Sequence, residues 1–174
     1  MDHIKSLIRT IPNFPKPGID FRDLTTLFLH GDGFRRVIDS LAETYGSQKL
    51  DLIAGVESRG FILAAPLAYR LNMGFVPIRK PGKLPGTTAG VDYALEYGRD
   101  RLEIHTDAVP KGARVLVVDD LLATGGTMEA ACRLVEQVGG LVAGCAFIVE
   151  LPALKGRDKL TKYALHRLVD FDGH

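Results

Sequence analysis

Residues 115–127 read Val-Leu-Val-Val-Asp-Asp-Leu-Leu-Ala-Thr-Gly-Gly-Thr, and no other part of the chain limits the fold as tightly. The first four are apolar and largely β-branched, which suits a strand covered on both faces of a parallel sheet. Polarity then changes abruptly. Asp119 and Asp120 are expected at the strand's carboxyl end, where open α/β sheets bind ligands. Ala123, Thr124, Gly125, Gly126 and Thr127 follow as a loop of small and hydroxyl residues whose glycines permit positive φ and close backbone approach. From Thr127 on, Ala131, Leu134, Val135 and Val138 fall at helical spacing, and Gly139 and Gly140 supply the stop. A loop leading into a helix N-terminus offers free N–H groups and the positive end of the helix dipole to an anion.

The loop lacks the Gly-Lys-Ser/Thr of a Walker A motif and the Gly-x-Gly-x-x-Gly of a dinucleotide fold. Two acids lead it instead. Adjacent carboxylates beside an anion site repel the anion unless they bind vicinal hydroxyls, a metal or developing positive charge. A sugar phosphate offers all three. The apolar run, the Asp pair and Ala-Thr-Gly-Gly-Thr resemble the phosphoribosyl diphosphate (PRPP) motif of the type I phosphoribosyltransferases, and the full string is most similar to that family's adenine branch. The resemblance implies a 5′-phosphate on residues 123–127 and catalytic roles for Asp119 and Asp120.

With 174 residues, 46% of them hydrophobic and 25% charged, the chain is expected to form one α/β domain with its own core. The net charge of +1 favours neither nucleic acid nor an anionic membrane, so anion binding must come from local clusters. No apolar stretch reaches spanning length, and Asp2 and His3 do not suit a signal peptide. The expected address is cytoplasmic. Cys132 and Cys145 read as free buried thiols in a reducing compartment, and the five histidines lack ligand spacing.

Ile4, Leu7, Ile8 and Ile11 fall at helical spacing, so a helix is expected over 3–11, ended by Pro12 and followed by a stiff proline-rich segment. Phe21 alone reads as a core aromatic. The similarity of 11–23 to the adenine enzymes' N-terminal hood implies instead that Phe21 stacks on the base, with the main chains of Asp20 and Arg22 reading its edge.

A helix is expected over 34–45, a strand over 52–56 and a helix over 61–71 that tolerates or kinks at Pro66. Between strand and helix lies Glu57-Ser58-Arg59. An arginine there serves as a solvated surface group or as a fork for phosphate. The resemblance favours the fork, in a pyrophosphate loop whose peptide, often cis in the family, would be Glu57–Ser58. Residues 75–79 form a strand expected at or near an edge because of Pro77. Arg79, Lys80 and Lys83 follow in a Pro/Gly-rich segment, a solvated basic face by composition and a diphosphate-contacting run by resemblance.

Residues 87–107 show hairpin alternation, with the turn expected at 98–100. By resemblance residues 81–108 are a flexible lid in which Glu96, otherwise an ordinary exposed carboxylate, acts on the base. Residues 141–149 and 164–171 read as strands, and Lys155, Arg157 and Lys159 as solvent-facing.

The expected fold is therefore a mostly parallel, doubly wound sheet with an N-terminal hood (1–33) and a lid hairpin. The resemblance implies transfer of a phosphoribosyl group from PRPP to adenine, giving AMP and pyrophosphate. It also implies Mg²⁺ held mainly by substrate and water rather than protein ligands, and a homodimer. A transferase for another purine such as xanthine, or a PRPP-sensing regulator, are the alternatives.

Overall fold

The computed structural model describes residues 1–95 and 98–172. In chain order the elements are α1 (Asp2–Ser6), β1 (Arg9–Pro12), β2 (Asp20–Asp23), α2 (Thr25–Leu29), α3 (Gly31–Tyr45), β3 (Leu52–Val56), α4 (Arg59–Leu71), β4 (Gly74–Ile78), β5 (Thr88–Leu95) and β6 (Gly98–His105). Then come β7 (Arg114–Val118), β8 (Leu121–Leu122), α5 (Gly126–Gln137), β9 (Leu141–Glu150), two 3-10 turns (Pro152–Leu154 and Gly156–Lys159) and β10 (Leu165–Asp170).

The main sheet has the order β10-β9-β7-β3-β4, with β8 added beside β9. Its pairings are all parallel. β7 shows how the core is divided. Leu116 and Val118 pack with α3 and α4 on one face, while Val115 and Val117 pack with α5 and the β5–β6 hairpin on the other. Period-two alternation in a strand buried on both faces thus serves two apolar layers. Since β7 lies between β9 and β3, Asp119 and Asp120 leave the sheet from its interior, flanked by the ends of both neighbours.

β4 is an edge strand, which accommodates Pro77. α4 continues through Pro66. Two expectations are corrected. The first helix ends at Ser6, and residues 9–12 instead pair antiparallel with 20–23, placing Ile11 opposite Phe21. The spacing of Ile11 suited a helix, but cross-strand pairing to an aromatic gives it a partner that a frayed last turn lacks. Gly98 to Asp100 are strand residues of β6 rather than the hairpin turn, with Gly98 opposite Leu95. Among the described residues, no helix is long and apolar enough to cross a membrane.

Asp23 joins the N-terminal ribbon to α2. It accepts hydrogen bonds from Arg9 Nε at 3.1 Å and from the Thr25 N–H at 3.0 Å. The Arg9 guanidinium, with the Thr25 groups, holds its carboxyl down at about 2. Asp23→Ala is expected to lower stability by about 1–2 kcal/mol, as loss of a capping carboxylate does. The folded value lies below the ordinary 3.8, so this contribution is complete above 3.8 and is lost as pH falls through about 2. Urea unfolding of both proteins between neutral and acid pH checks this: the gap should close in acid, and a pH-independent gap would refute it.

Candidate active site

The turn after β7 is held by its own polar groups. Asp119 Oδ1 accepts the Asp120 N–H at 2.9 Å. The Asp120 carbonyl accepts from the N–H groups of Ile148 and Val149, each at 3.0 Å. The Asp120 side chain is buried, with Oδ2 2.7 Å from Arg59 Nε. That contact is an ion pair without hydrogen-bond alignment, so the oxygen retains an unfilled acceptor position. α5 then begins at Gly126, and no side chain caps it. Its first N–H groups are therefore free to face an anion.

Two glycines permit this assembly. Gly125 has φ +80°, and a Cβ there would meet the Gly156 carbonyl oxygen at 2.4 Å. The loop packs backbone against backbone on the second 3-10 turn. At Gly60 a Cβ would lie 2.8 Å from the Val118 carbonyl oxygen and 3.0 Å from Asp119 Oδ1. Its absence lets the first turn of α4 approach the end of β7, so the β3–α4 and β7–α5 turns face a common space.

That space is a cavity of about 470 Å³, lined by Glu57, Ser58, Arg59, Lys80, Asp119, Asp120 and the whole run from Ala123 through Thr124, Gly125 and Gly126 to Thr127. The Glu57–Ser58 peptide is cis. Arg79 and Lys83 are not in the lining. Arg79 Nε and Nη2 donate to the two Glu57 carboxylate oxygens at 3.1 and 3.2 Å, and Nη1 donates to the Lys83 carbonyl at 3.1 Å. Arg79 thus braces the turn and neutralises Glu57. Tyr93, Leu121, Leu122 and Met128 also line the cavity and were not foreseen. In the sequence Tyr93 is one position in the hairpin alternation of residues 87–107.

The electrostatics follow from these contacts. Burial, and then the Asp120 carboxylate, push the Asp119 carboxyl well above its usual range. Burial also raises Asp120, with the Arg59 guanidinium partly offsetting it. Burial alone would raise Glu57, but the Arg79 fork and the Lys80 N–H outweigh it and hold that carboxyl low. The cavity therefore sets cations and helix N–H groups around two acids whose charge is poorly solvated. Among the described residues, no group of three or more His, Cys, Asp or Glu side chains converges on a metal position.

A second cavity of about 550 Å³ adjoins the first and shares Arg59, Leu121 and Ala123 with it. Asp20, Phe21 and Arg22 form one wall, and Leu151 and Leu154 another. The Phe21 ring packs edge-on against Phe14 with centroids 5.2 Å apart, and the Arg59 guanidinium stands 5.7 Å from the Phe21 centroid. The Arg22 side chain turns elsewhere, to Thr10 Oγ1 at 2.5 Å and over Phe171 at 4.6 Å. Leu151 and Leu154 come from the segment between β9 and β10, where no site residue was expected. Arg157 is not simply solvent-facing: it pairs through Nε and Nη2 with the buried Glu150 at 2.6 and 2.8 Å. The Cys132 and Cys145 thiols are free and buried, with sulfurs 3.4 Å apart. Glu96 lies outside the described residues.

A parallel α/β sheet with an acid pair and an uncapped helix loop at its carboxyl edge, beside an apolar aromatic slot, defines a class of enzymes that handle sugar phosphates and flat bases. Residues 25–173 match the phosphoribosyl transferase domain family. The chain is 58% identical over 168 residues to an adenine phosphoribosyltransferase of Chloroflexus aurantiacus, covering 97% of each. It superposes on the adenine phosphoribosyltransferase of Thermoanaerobacter pseudethanolicus with a TM-score of 0.95 at 53% identity, covering 98% of this chain and 99% of that one. The Saccharomyces cerevisiae enzyme, solved with adenine and an imino-altritol bisphosphate, gives 0.91 at 42% identity and 97% coverage of both chains. The chain belongs to the adenine phosphoribosyltransferase family.

Proposed function

We propose that this enzyme transfers the phosphoribosyl group of PRPP to N9 of adenine, releasing pyrophosphate and forming AMP, and that the two adjoining cavities divide the work. The observation that carries this reading is their shared boundary at Arg59, Leu121 and Ala123. A sugar seated there has its phosphates among cations and N–H groups and its anomeric carbon toward an apolar slot sized for a base.

In this reading residues 123–127 hold the 5′-phosphate, and Glu57, Ser58, Arg59 and Lys80 form the diphosphate side. Arg79 acts through Glu57. Asp119 and Asp120 hold the ribose hydroxyls and stabilise the cation that develops at C1′ as pyrophosphate leaves, while the basic turns stabilise the departing charge. Phe21 stacks on adenine, opposite Leu151 and Leu154, and the main chains of Asp20 and Arg22 read its edge. Glu96 is assigned to polarising the base through N7 as the hairpin covers the site.

The phosphates and hydroxyls of PRPP would supply most oxygen donors of a hydrated Mg²⁺, and Asp119 and Asp120, which line the cavity, are the acids its waters would meet. When bound, Mg²⁺ supplies charge neutralisation of the diphosphate. We further propose a single domain with hood 1–33 and lid 81–108, a cytoplasmic location and a homodimer. The exposed apolar side chains Ile62 and Tyr69 of α4 and Phe75 of the edge strand β4 support the dimer.

Competition among equimolar adenine, hypoxanthine, guanine and xanthine for limiting PRPP tests the assignment. AMP should dominate with one pyrophosphate released per nucleotide. Preferential consumption of xanthine would move the enzyme to another purine, and PRPP binding without any nucleotide formed would favour a regulator.

A further inference from the structure

Tyr93 and Asp100 face each other across the β5–β6 hairpin as register partners. The Tyr93 hydroxyl donates to Asp100 Oδ2 at 3.0 Å. Lys80, in the turn after β4, donates to the Tyr93 hydroxyl at 3.3 Å and to the same Asp100 oxygen. Burial pulls the Lys80 ammonium down, but Asp100 and Tyr93 outweigh it and hold the proton on. Burial raises the Asp100 carboxyl, but Lys80, the Arg101 N–H and the Tyr93 hydroxyl outweigh it and keep it below its usual range. Lys80 and Tyr93 line the cavity, and Asp100 stands behind them without lining it. Three cations of the β3–α4 and β4 turns thus have an internal carboxylate: Arg59 has Asp120, Arg79 has Glu57 and Lys80 has Asp100. Of these three acids, Asp100 is the one carried by the hairpin.

We propose that Asp100 is a positioning residue: an internal counter-ion that holds Lys80 against the hairpin until the diphosphate displaces it. The proposal rests on reading this cavity as the diphosphate site. Asp100 and Tyr93 take two of the three N–H donors of the ammonium, and the Asp100 carboxylate itself repels an incoming anion. Diphosphate arrival therefore competes with Asp100 for Lys80, and the exchange removes one side-chain tie between the hairpin and the β4 turn, leaving the Arg79–Glu103 backbone bridge and the Gly82 N–H to Glu103 in place. Occupancy of the leaving-group site is thereby coupled to the Asp100 end of the hairpin through Lys80. After transfer, Asp100 reclaims Lys80 and assists pyrophosphate departure.

Asp100→Asn keeps the size and can still accept from Tyr93, but it gives up the charge. Inorganic pyrophosphate with Mg²⁺, titrated calorimetrically at low ionic strength, should bind Asp100→Asn about threefold to tenfold more tightly than wild type, the scale expected for a partly exposed ion pair. Steady-state kcat should fall as pyrophosphate release slows, with single-turnover AMP formation unchanged. Asp100→Glu should restore the wild-type affinity, and in a Lys80→Met background Asp100→Asn should make no difference. A merely structural role for Asp100 would lower Tm and weaken binding. Unchanged or weaker pyrophosphate binding by folded Asp100→Asn, or a gain that persists without Lys80, overturns the proposal. Because the pyrophosphate titration needs no base, it reads the coupling even if adenine proves to be the wrong acceptor.

Discussion

Gly125→Val is expected to weaken PRPP binding at least about a hundredfold, because a β-branched residue cannot hold the loop backbone that the site needs. The native φ of +80° is itself unfavourable for valine, and the obstruction is the backbone of Gly156, whose carbonyl oxygen, carbonyl carbon and Cα would lie at 2.4, 3.1 and 3.2 Å from the new Cβ. Backbone atoms cannot rotate away as a side-chain tip can. The loop must move off the 3-10 turn, carrying with it the N–H groups at the start of α5. Some loss of stability accompanies this, about 2–4 kcal/mol for a strained, overpacked substitution. Gly126→Ala provides the contrast, since its Cβ would meet the Ala94 carbonyl oxygen at 3.3 Å and Lys159 Nζ at 3.8 Å, contacts that small shifts relieve. Calorimetric PRPP titration beside thermal melts separates the two effects. A folded Gly125→Val protein with wild-type affinity would remove the loop from the phosphate site.

Asp119→Asn is expected to lower kcat/KM for PRPP by about a hundredfold to a thousandfold, the range for removing a preorganised charge next to developing opposite charge. The same change should raise Tm of the ligand-free protein. Folding raises the Asp119 carboxyl above its ordinary range through burial and the neighbouring Asp120 carboxylate. The unfolded chain therefore releases that proton at lower pH than the folded protein, and wild-type stability declines as pH rises through this window. An amide carries no such decline, and its oxygen still accepts the Asp120 N–H. Lost activity with increased stability is the signature of an acid kept for chemistry at the expense of the fold. Melting curves across pH with parallel initial rates test it; an Asn variant both less stable and fully active would return Asp119 to a structural role.

Residues with one-dimensional signals were legible in the sequence. β3, β7 and β9 are apolar runs bounded by abrupt polarity changes, and the Asp119-Asp120 pair and its loop are contiguous, so their place at a sheet's carboxyl edge follows from local order. Partnership was not legible. The basic cluster at 79–83 gave no sign that Arg79 is committed to Glu57, 22 positions earlier, while Lys80 alone turns into the cavity. Arg157 is exposed as expected, but its pairing with the buried Glu150 is a relation that spacing does not carry. Cys132 and Cys145 are far enough apart in the chain to look unrelated, and only the packing of α5 on the sheet brings their sulfurs together. Ile11 satisfied a helical spacing and was claimed by a strand partner instead. Each miss is a choice among compatible local forms that tertiary contact decides.

The most direct test is to record the backbone amide resonances of the protein while adding PRPP and Mg²⁺ without base. The expected result is that the amides of residues 124–127 and of Ser58 and Arg59 shift together and saturate with one affinity, while those around Phe21 respond mainly on later addition of adenine. If PRPP bound with the amides of 124–127 unmoved, the loop after β7 would not be its phosphate site, and the assignment of the acids beside it would fall as well.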